Sequence, residues 1–156
     1  MKKLLAVLAL ASLGAQAQTV NTPVLTTDTA IKLVSEGIGQ CANDGYNVTV
    51  AVVDRSGALK ALGRHENAGP HTLESARKKA FTSASMGVVT ADLANNIADK
   101  PAISGLREMH PDILILGGGL PIRVNDQLVG GIGIGGAPGG HLDQACAEAA
   151  LKAVLK

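Results

Sequence analysis

The chain contains almost no aromatic residues: one Phe, one Tyr and no Trp in 156 residues. Proteins that bind single-stranded nucleic acids stack the bases on aromatic side chains, so this composition disfavours that class of partner. No excess of positive charge is present either, because the formal net charge is +1 and the Lys and Arg residues form no extended run. The sequence therefore argues against nucleic acid as a partner.

Most catalytic motifs are also absent. The sequence contains no P-loop, no G-x-S-x-G, no C-x-x-C, no H-E-x-x-H and no C-x-x-C-H motif. The segment Gly131–Gly136 matches G-x-G-x-x-G, but the chain ends within one helix of it, which leaves no second strand for a dinucleotide fold. The alternation of Gly and Ile instead predicts a strand whose bare face allows close approach to its backbone.

Long hydrophobic runs are confined to the N-terminus. Lys2 and Lys3 precede the apolar stretch Leu4–Leu13, and an A-x-A cleavage pattern ends at Ala17. This pattern predicts a signal peptide over residues 1–17 and an exported protein, periplasmic or extracellular, with no membrane span in the mature chain. We predict a polar leader over residues 18–26 and one domain over residues 27–156.

Only two cysteines occur, Cys41 and Cys146. Export places them in an oxidising compartment, where a disulfide is allowed. Each lies on the apolar stripe of a predicted helix, which equally suits two buried free thiols. Both alternatives remain open from the sequence.

Hydrophobic periodicity and turn residues predict a single α+β domain with the element order α-β-β-α-α-β-β-β-α. Short links between neighbouring strands favour a five-stranded, mainly antiparallel sheet flanked by helices. The third predicted strand covers Ile113–Leu116. Within the helix that begins at Thr72, Ser75, Lys79 and Thr82 form one polar stripe.

Several side chains in this sequence are able to ligate iron. His110 is the strongest candidate for a metal ligand, because Arg107 lies three residues earlier and guanidinium groups pair with carboxylates such as haem propionates. His71 and Glu74, one helical turn apart, allow a metal site, although an acid at a helix N-terminus explains Glu74 as well. The full set of candidate ligands is His65, His71, His110, His141, Met86 and Met109.

Six segments resemble the GlcG/HbpS family, which includes the C-terminal domain of PduO-type proteins. The resemblance covers the chain from about Asp28 to Val154, and the segments are, in order, Val52–Gly57, Arg64–Gly69, Ser75–Thr82, Gly118–Ile122, Val129–Ala137 and Asp143–Ala147. The resemblance implies an antiparallel sheet flanked by helices, homo-oligomers, and binding or degradation of haem. In some exported members it also implies assistance to a membrane sensor in redox sensing.

The family motif positions that this chain matches are Arg64, Ser75, Lys79, Gly118, Gly119 and Asp143. Because Arg64 ends a predicted strand while Ser75 and Lys79 share one helix face, we expect all three to border one pocket, whereas a solvated helix face is the alternative for Ser75 and Lys79. The chain departs from the family at Gly135, where serine is frequent, and at His141, where another polar residue is usual.

Three functions follow as hypotheses. The first is an exported haem-binding protein, either haem-degrading or redox-sensing, with His110 as the iron ligand. The second is an enzyme or carrier for a small organic acid, with Arg64 and Lys79 as carboxylate clamps. The third is a homo-oligomeric accessory protein that acts by binding a partner.

Overall fold

The computed structural model of the protein describes residues 18–155. Within this range the elements are α1 (Thr27–Asn43), β1 (Thr49–Asp54), β2 (Leu59–Arg64), α2 (Thr72–Met86), α3 (Thr90–Asp99), a 3-10 helix (Pro101–Glu108), β3 (Gly119–Val124), β4 (Gln127–Gly135) and α4 (Gly140–Val154). The predicted signal peptide lies outside the described residues. No helix in residues 18–155 has the length and hydropathy that crossing a membrane requires.

The strands form one antiparallel sheet with the order β2-β1-β4-β3. Strand β1 alternates its side chains between the two faces of the sheet, as the pleat requires. Val50 and Val52 face the main core with α1 and α4, whereas Ala51 and Val53 face α2. The predicted α+β class and antiparallel pairing are confirmed.

The prediction of five strands is wrong, because Ile113–Leu116 does not join the sheet. Its backbone groups bond side chains and local carbonyls instead of a neighbouring strand: Thr82 Oγ1 accepts from Leu114 N at 2.8 Å, and Thr90 Oγ1 donates to Leu116 O at 2.7 Å. Ile115 packs beside α3 in a small separate cluster. Ile113 and Ile115 therefore pack in this cluster, and their segment forms no strand of the sheet.

The glycines of β4 determine how closely α2 approaches the sheet. A Cβ at Gly131 would collide with the carbonyl oxygen of Ala80, and a Cβ at Gly133 with that of Ala76. The small residues Ala76, Ala80 and Ala84 form the matching face of α2. The predicted bare strand face is therefore confirmed, and the element that approaches it is α2.

A disulfide joins Cys41 of α1 to Cys146 of α4, with a Cα–Cα distance of 5.4 Å. Both residues are buried in the main core. Of the two alternatives for these cysteines, the structure contains the disulfide, which ties together the helices at the two ends of the domain.

Candidate functional site

A cleft of about 350 Å³ opens between the beginning of α2 and the beginning of α4. The loop 136–140, which joins β4 to α4, forms one wall of this cleft. The cleft is lined by three of the family motif residues, Ser75, Lys79 and Asp143, together with His71 and Leu116. The fold thus brings residues from distant parts of the sequence to one place.

A buried ion pair lies in the wall of the cleft. The Lys79 ammonium donates to Asp143 Oδ2 at 2.8 Å and to the carbonyl oxygen of Ile134 at 2.9 Å. Asp143 Oδ1 accepts from the backbone N–H of Ala137 at 3.0 Å. Burial raises the pKa of Asp143, while the Lys79 charge and the hydrogen bonds from Lys79 and Ala137 oppose that rise. The pair ties α2, β4 and α4 together.

Glycines make room for this pair. Gly118 has φ +112°, and a Cβ there would lie 2.7 Å from Asp143 Cβ and 3.0 Å from Lys79 Nζ. At Gly119, a Cβ would collide with the backbone carbonyl of Lys79. Gly118 and Gly119 are therefore needed because backbone and buried charges approach each other closely there.

Of the polar stripe on α2, Lys79 and Thr82 are buried and Ser75 is half-buried. The alternative of a solvated helix face therefore does not describe Lys79. Arg64 is exposed on β2, where its guanidinium donates to the carbonyl oxygen of Ala68 at 2.6 Å, and it does not line the cleft. The structure thus unites Ser75 and Lys79 but leaves Arg64 elsewhere.

His110 lies outside the cleft, on the surface beside α2. Its ring stacks on Phe81 with a centroid distance of 4.9 Å and an interplanar angle of 20°. Its Nδ1 accepts from the backbone N–H of Asp112 at 3.0 Å. The imidazole is exposed and oriented by these two contacts, while Nε2 has no hydrogen-bond partner among residues 18–155.

Ion pairs anchor the segment that carries His110. Arg77 bonds both Glu74 and Asp112, at 2.8 and 2.7 Å, and these bonds hold the pKa of each carboxyl below its usual value. Arg107 is exposed and donates to the carbonyl oxygen of Ile115 at 3.3 Å. Glu74 thus pairs with an arginine on its own helix.

The remaining candidate ligands lie apart from one another. His65 Nδ1 accepts from the backbone N–H of Asn67 at 3.2 Å, and His141 is exposed at the start of α4. Met109 is 63% exposed next to His110, and Met86 packs beside the small cluster near α3. In the described part of the chain, no three His, Cys, Asp or Glu side chains converge as a metal site.

Two features of these sites were missed by analysis of the sequence. Phe81 supports His110, and the only signal was that it is the single Phe of the chain. The buried partner of Lys79 is Asp143, 64 residues away, and the family motif supplied its position but not its contact. A contact at that separation has no local periodicity to reveal it.

Comparison with solved structures finds the same fold. A double mutant of HbpS from Streptomyces reticuli superposes with a TM-score of 0.80 and 37% identity, covering 97% of this chain and 98% of that one. PduOC, solved in a complex with haem, superposes with a TM-score of 0.78 and 25% identity, covering 85% of this chain and 96% of that one.

Comparison of amino-acid sequences finds the same group of proteins as comparison of structures. The corrinoid adenosyltransferase PduO of Citrobacter freundii is 31% identical over 108 residues, which is 69% of this chain but 32% of that protein. The chain thus spans about a third of this relative's length. The family model described as haem degrading protein HbpS-like matches residues 25–152. Taken with the shared fold, this match shows that the chain belongs to the HbpS-like family.

Proposed function

We propose that the protein binds haem, as an exported member of the HbpS-like family. The observation that carries the proposal is the similarity to PduOC, which was solved in a complex with haem and shares its fold over 85% of this chain. The family description supports the same ligand.

The chemistry of the donor set around His110 fits haem. An exposed imidazole is supported by an aromatic ring, and the thioether of Met109 lies next to it in the chain. Imidazole and thioether groups are both able to coordinate haem iron, and a guanidinium such as that of Arg107 would pair with a propionate. We infer that His110 holds the iron and that Arg107 faces a propionate.

Ligation through Nε2 has a consequence for His110. A metal takes the lone pair of one ring nitrogen, so the proton must lie on the other nitrogen. Nδ1 of His110 accepts a hydrogen bond from Asp112 N, and this bond must open before Nδ1 can carry that proton. Haem, when bound, would supply a redox-active iron, while His110, Phe81 and Arg107 would orient it.

The test is an absorbance titration of the purified protein with haemin. We expect a saturable shift of the Soret band at one haem per chain, altered or lost in His110→Ala. His65→Ala is the matched control, because the Nδ1 of His65 also accepts a backbone N–H two residues later.

The His71→Ala variant separates the cleft from the surface beside Phe81. Loss of the band in His71→Ala, with His110→Ala unchanged, would keep haem binding and refute His110 as the ligand. Absence of any saturable shift in the parent protein would contradict the proposal itself.

Export is the second part of the proposal. The disulfide between Cys41 and Cys146 supports it, because such bonds form and persist in oxidising compartments and are rare in the cytosol. The predicted signal peptide is consistent with the same route. Haem degradation, redox sensing with a membrane sensor, and homo-oligomer formation stay predictions of the family resemblance.

An organic-acid site formed by Arg64 together with Lys79 finds less support. Arg64 donates to the carbonyl oxygen of Ala68 and lies outside the cleft that Lys79 lines. The two cations therefore do not act as one clamp in this conformation.

A further inference from the structure

The cleft beside the Lys79–Asp143 pair contains hydrogen-bond donors that the haem proposal does not use. An ammonium carries three N–H donors. Lys79 commits two of them, to Asp143 Oδ2 and to Ile134 O. Lys79 is 1% exposed and lines the cleft, so one of its donors is left for a ligand.

Ser75 provides a second donor. It lines the same cleft from the preceding turn of α2, and its hydroxyl has no hydrogen-bond partner in the described range 18–155. The hydroxyl has room because residue 135 is glycine: a Cβ there would lie 2.5 Å from Ser75 Oγ.

The first turn of α4 provides further donors. The N–H groups of Leu142 and Asp143 bond the carbonyl oxygen of Gly139 at 3.0 and 3.2 Å. The N–H groups of Gly140 and His141, at the first two positions of α4, have no partner within residues 18–155 and are the donors that remain. Gly140 is at the edge of the cleft. The partial positive charge of a helix N-terminus, about half a unit, suits one negative charge.

We propose that this cleft binds a small monocarboxylate. Its carboxylate would accept from Lys79, from Ser75 and from the N–H groups at the start of α4. The charges of Lys79 and Asp143 cancel, and both carboxylate oxygens of Asp143 already accept hydrogen bonds, so the pair does not repel the ligand. Leu116 and Pro138 provide apolar contact for a short aliphatic chain.

Titration of the haem-free protein with acetate, lactate and pyruvate tests the proposal, with amide chemical shifts and calorimetry as readouts. We expect saturable binding, with shifts centred on Ser75, Gly139, Gly140 and His141. Ser75→Ala should weaken binding about 10-fold, the cost of losing one hydrogen bond to a charged group. Ser85→Ala, an exposed serine on the same helix, should leave binding unchanged.

Gly135→Ala is a second variant that keeps the Ser75 hydroxyl but fills the space it occupies. We expect it to weaken binding as Ser75→Ala does, with the fold monitored by circular dichroism. The proposal is overturned if none of the three acids binds, if Ser85→Ala weakens binding equally, or if inorganic phosphate binds more tightly than all three acids. Because this titration uses haem-free protein, a failure to bind carboxylates would not contradict the haem proposal. A failure to bind haem would likewise not contradict the carboxylate proposal.

Discussion

Lys79 is the residue whose role depends most on its surroundings. It is a large, fully buried side chain, and a lysine is almost never buried without a partner. Asp143 neutralises it, and the pair links α2 to α4 across the end of β4. A buried pair of this kind contributes little net stability when intact, but removal of one partner leaves an uncompensated charge.

We therefore predict that Lys79→Met lowers the free energy of unfolding by about 3–5 kcal/mol. Chemical denaturation measures this loss. Lys78→Met, at the neighbouring half-buried position, is the control and should change stability by about 0.5 kcal/mol or less. The double variant Lys79→Met/Asp143→Leu should recover most of the loss, because no buried charge is then left unpaired. Equal losses in the Lys79 and Lys78 variants would contradict this account.

The loss in Lys79→Met should depend on pH. Burial raises the pKa of Asp143, so the folded chain binds that proton more tightly than the unfolded chain. The stability from this proton is present below the unfolded pKa, about 3.9, and is lost as the pH rises through the folded pKa. Because Lys79 opposes the rise in the parent protein, its removal should raise the pKa of Asp143 further, so the deficit of Lys79→Met should be largest near neutral pH and should shrink on acidification.

At the scale of elements, the packing of α2 on β4 rests on residues without side chains. The backbone atoms of Ala76 and Ala80 occupy the space that a Cβ at Gly133 would need. Those atoms belong to a helix held by its own hydrogen bonds, so they cannot move individually. A Cβ at Gly133 would therefore force α2 and β4 apart.

We predict that Gly133→Ala destabilises the protein by about 1–3 kcal/mol, the usual cost of overpacking a core. Gly39→Ala is the matched control, because Gly39 is exposed on α1 and a Cβ there meets nothing within 4 Å. Alanine at that position should instead stabilise α1, by about 1 kcal/mol at most. Thermal unfolding of both variants compares the effects, and a neutral Gly133→Ala would refute the close-approach argument.

At the scale of the whole molecule, one covalent bond constrains most of the chain. The Cys41–Cys146 disulfide spans a sequence separation of 105 residues and joins the first helix to the last. Cross-linking so long a loop removes much conformational freedom from the unfolded chain. Because disulfides form and persist in oxidising environments, the stability of the protein also depends on the redox conditions of the compartment in which it folds.

We predict that the double variant Cys41→Ala/Cys146→Ala loses up to about 4–5 kcal/mol of stability. Denaturation with and without dithiothreitol provides the comparison. The parent protein should lose stability when its disulfide is reduced, whereas the variant should not respond to the reductant. A parent protein indifferent to dithiothreitol under unfolding conditions would contradict the role of the bond, and with it a support for export.

Elements whose signals are local could be predicted from the amino-acid sequence. The helices at Thr27–Asn43, Thr72–Met86 and Thr90–Asp99 follow from apolar spacing and turn residues, and the Gly-Ile alternation of β4 identifies a strand with one bare face. The set of family motifs indicated the fold and the family. Local patterns suffice there because each element carries its own periodicity.

Features that depend on long-range contacts could be identified only in the folded protein. Apolar content alone could not distinguish a strand at Ile113–Leu116 from a segment whose backbone is bonded by Thr82 and Thr90. The fold also brings Cys41 and Cys146 together as a disulfide, and it pairs Lys79 with Asp143. The physical reason is the same in each case: the partner lies far away in sequence, so the fold must form before the interaction exists.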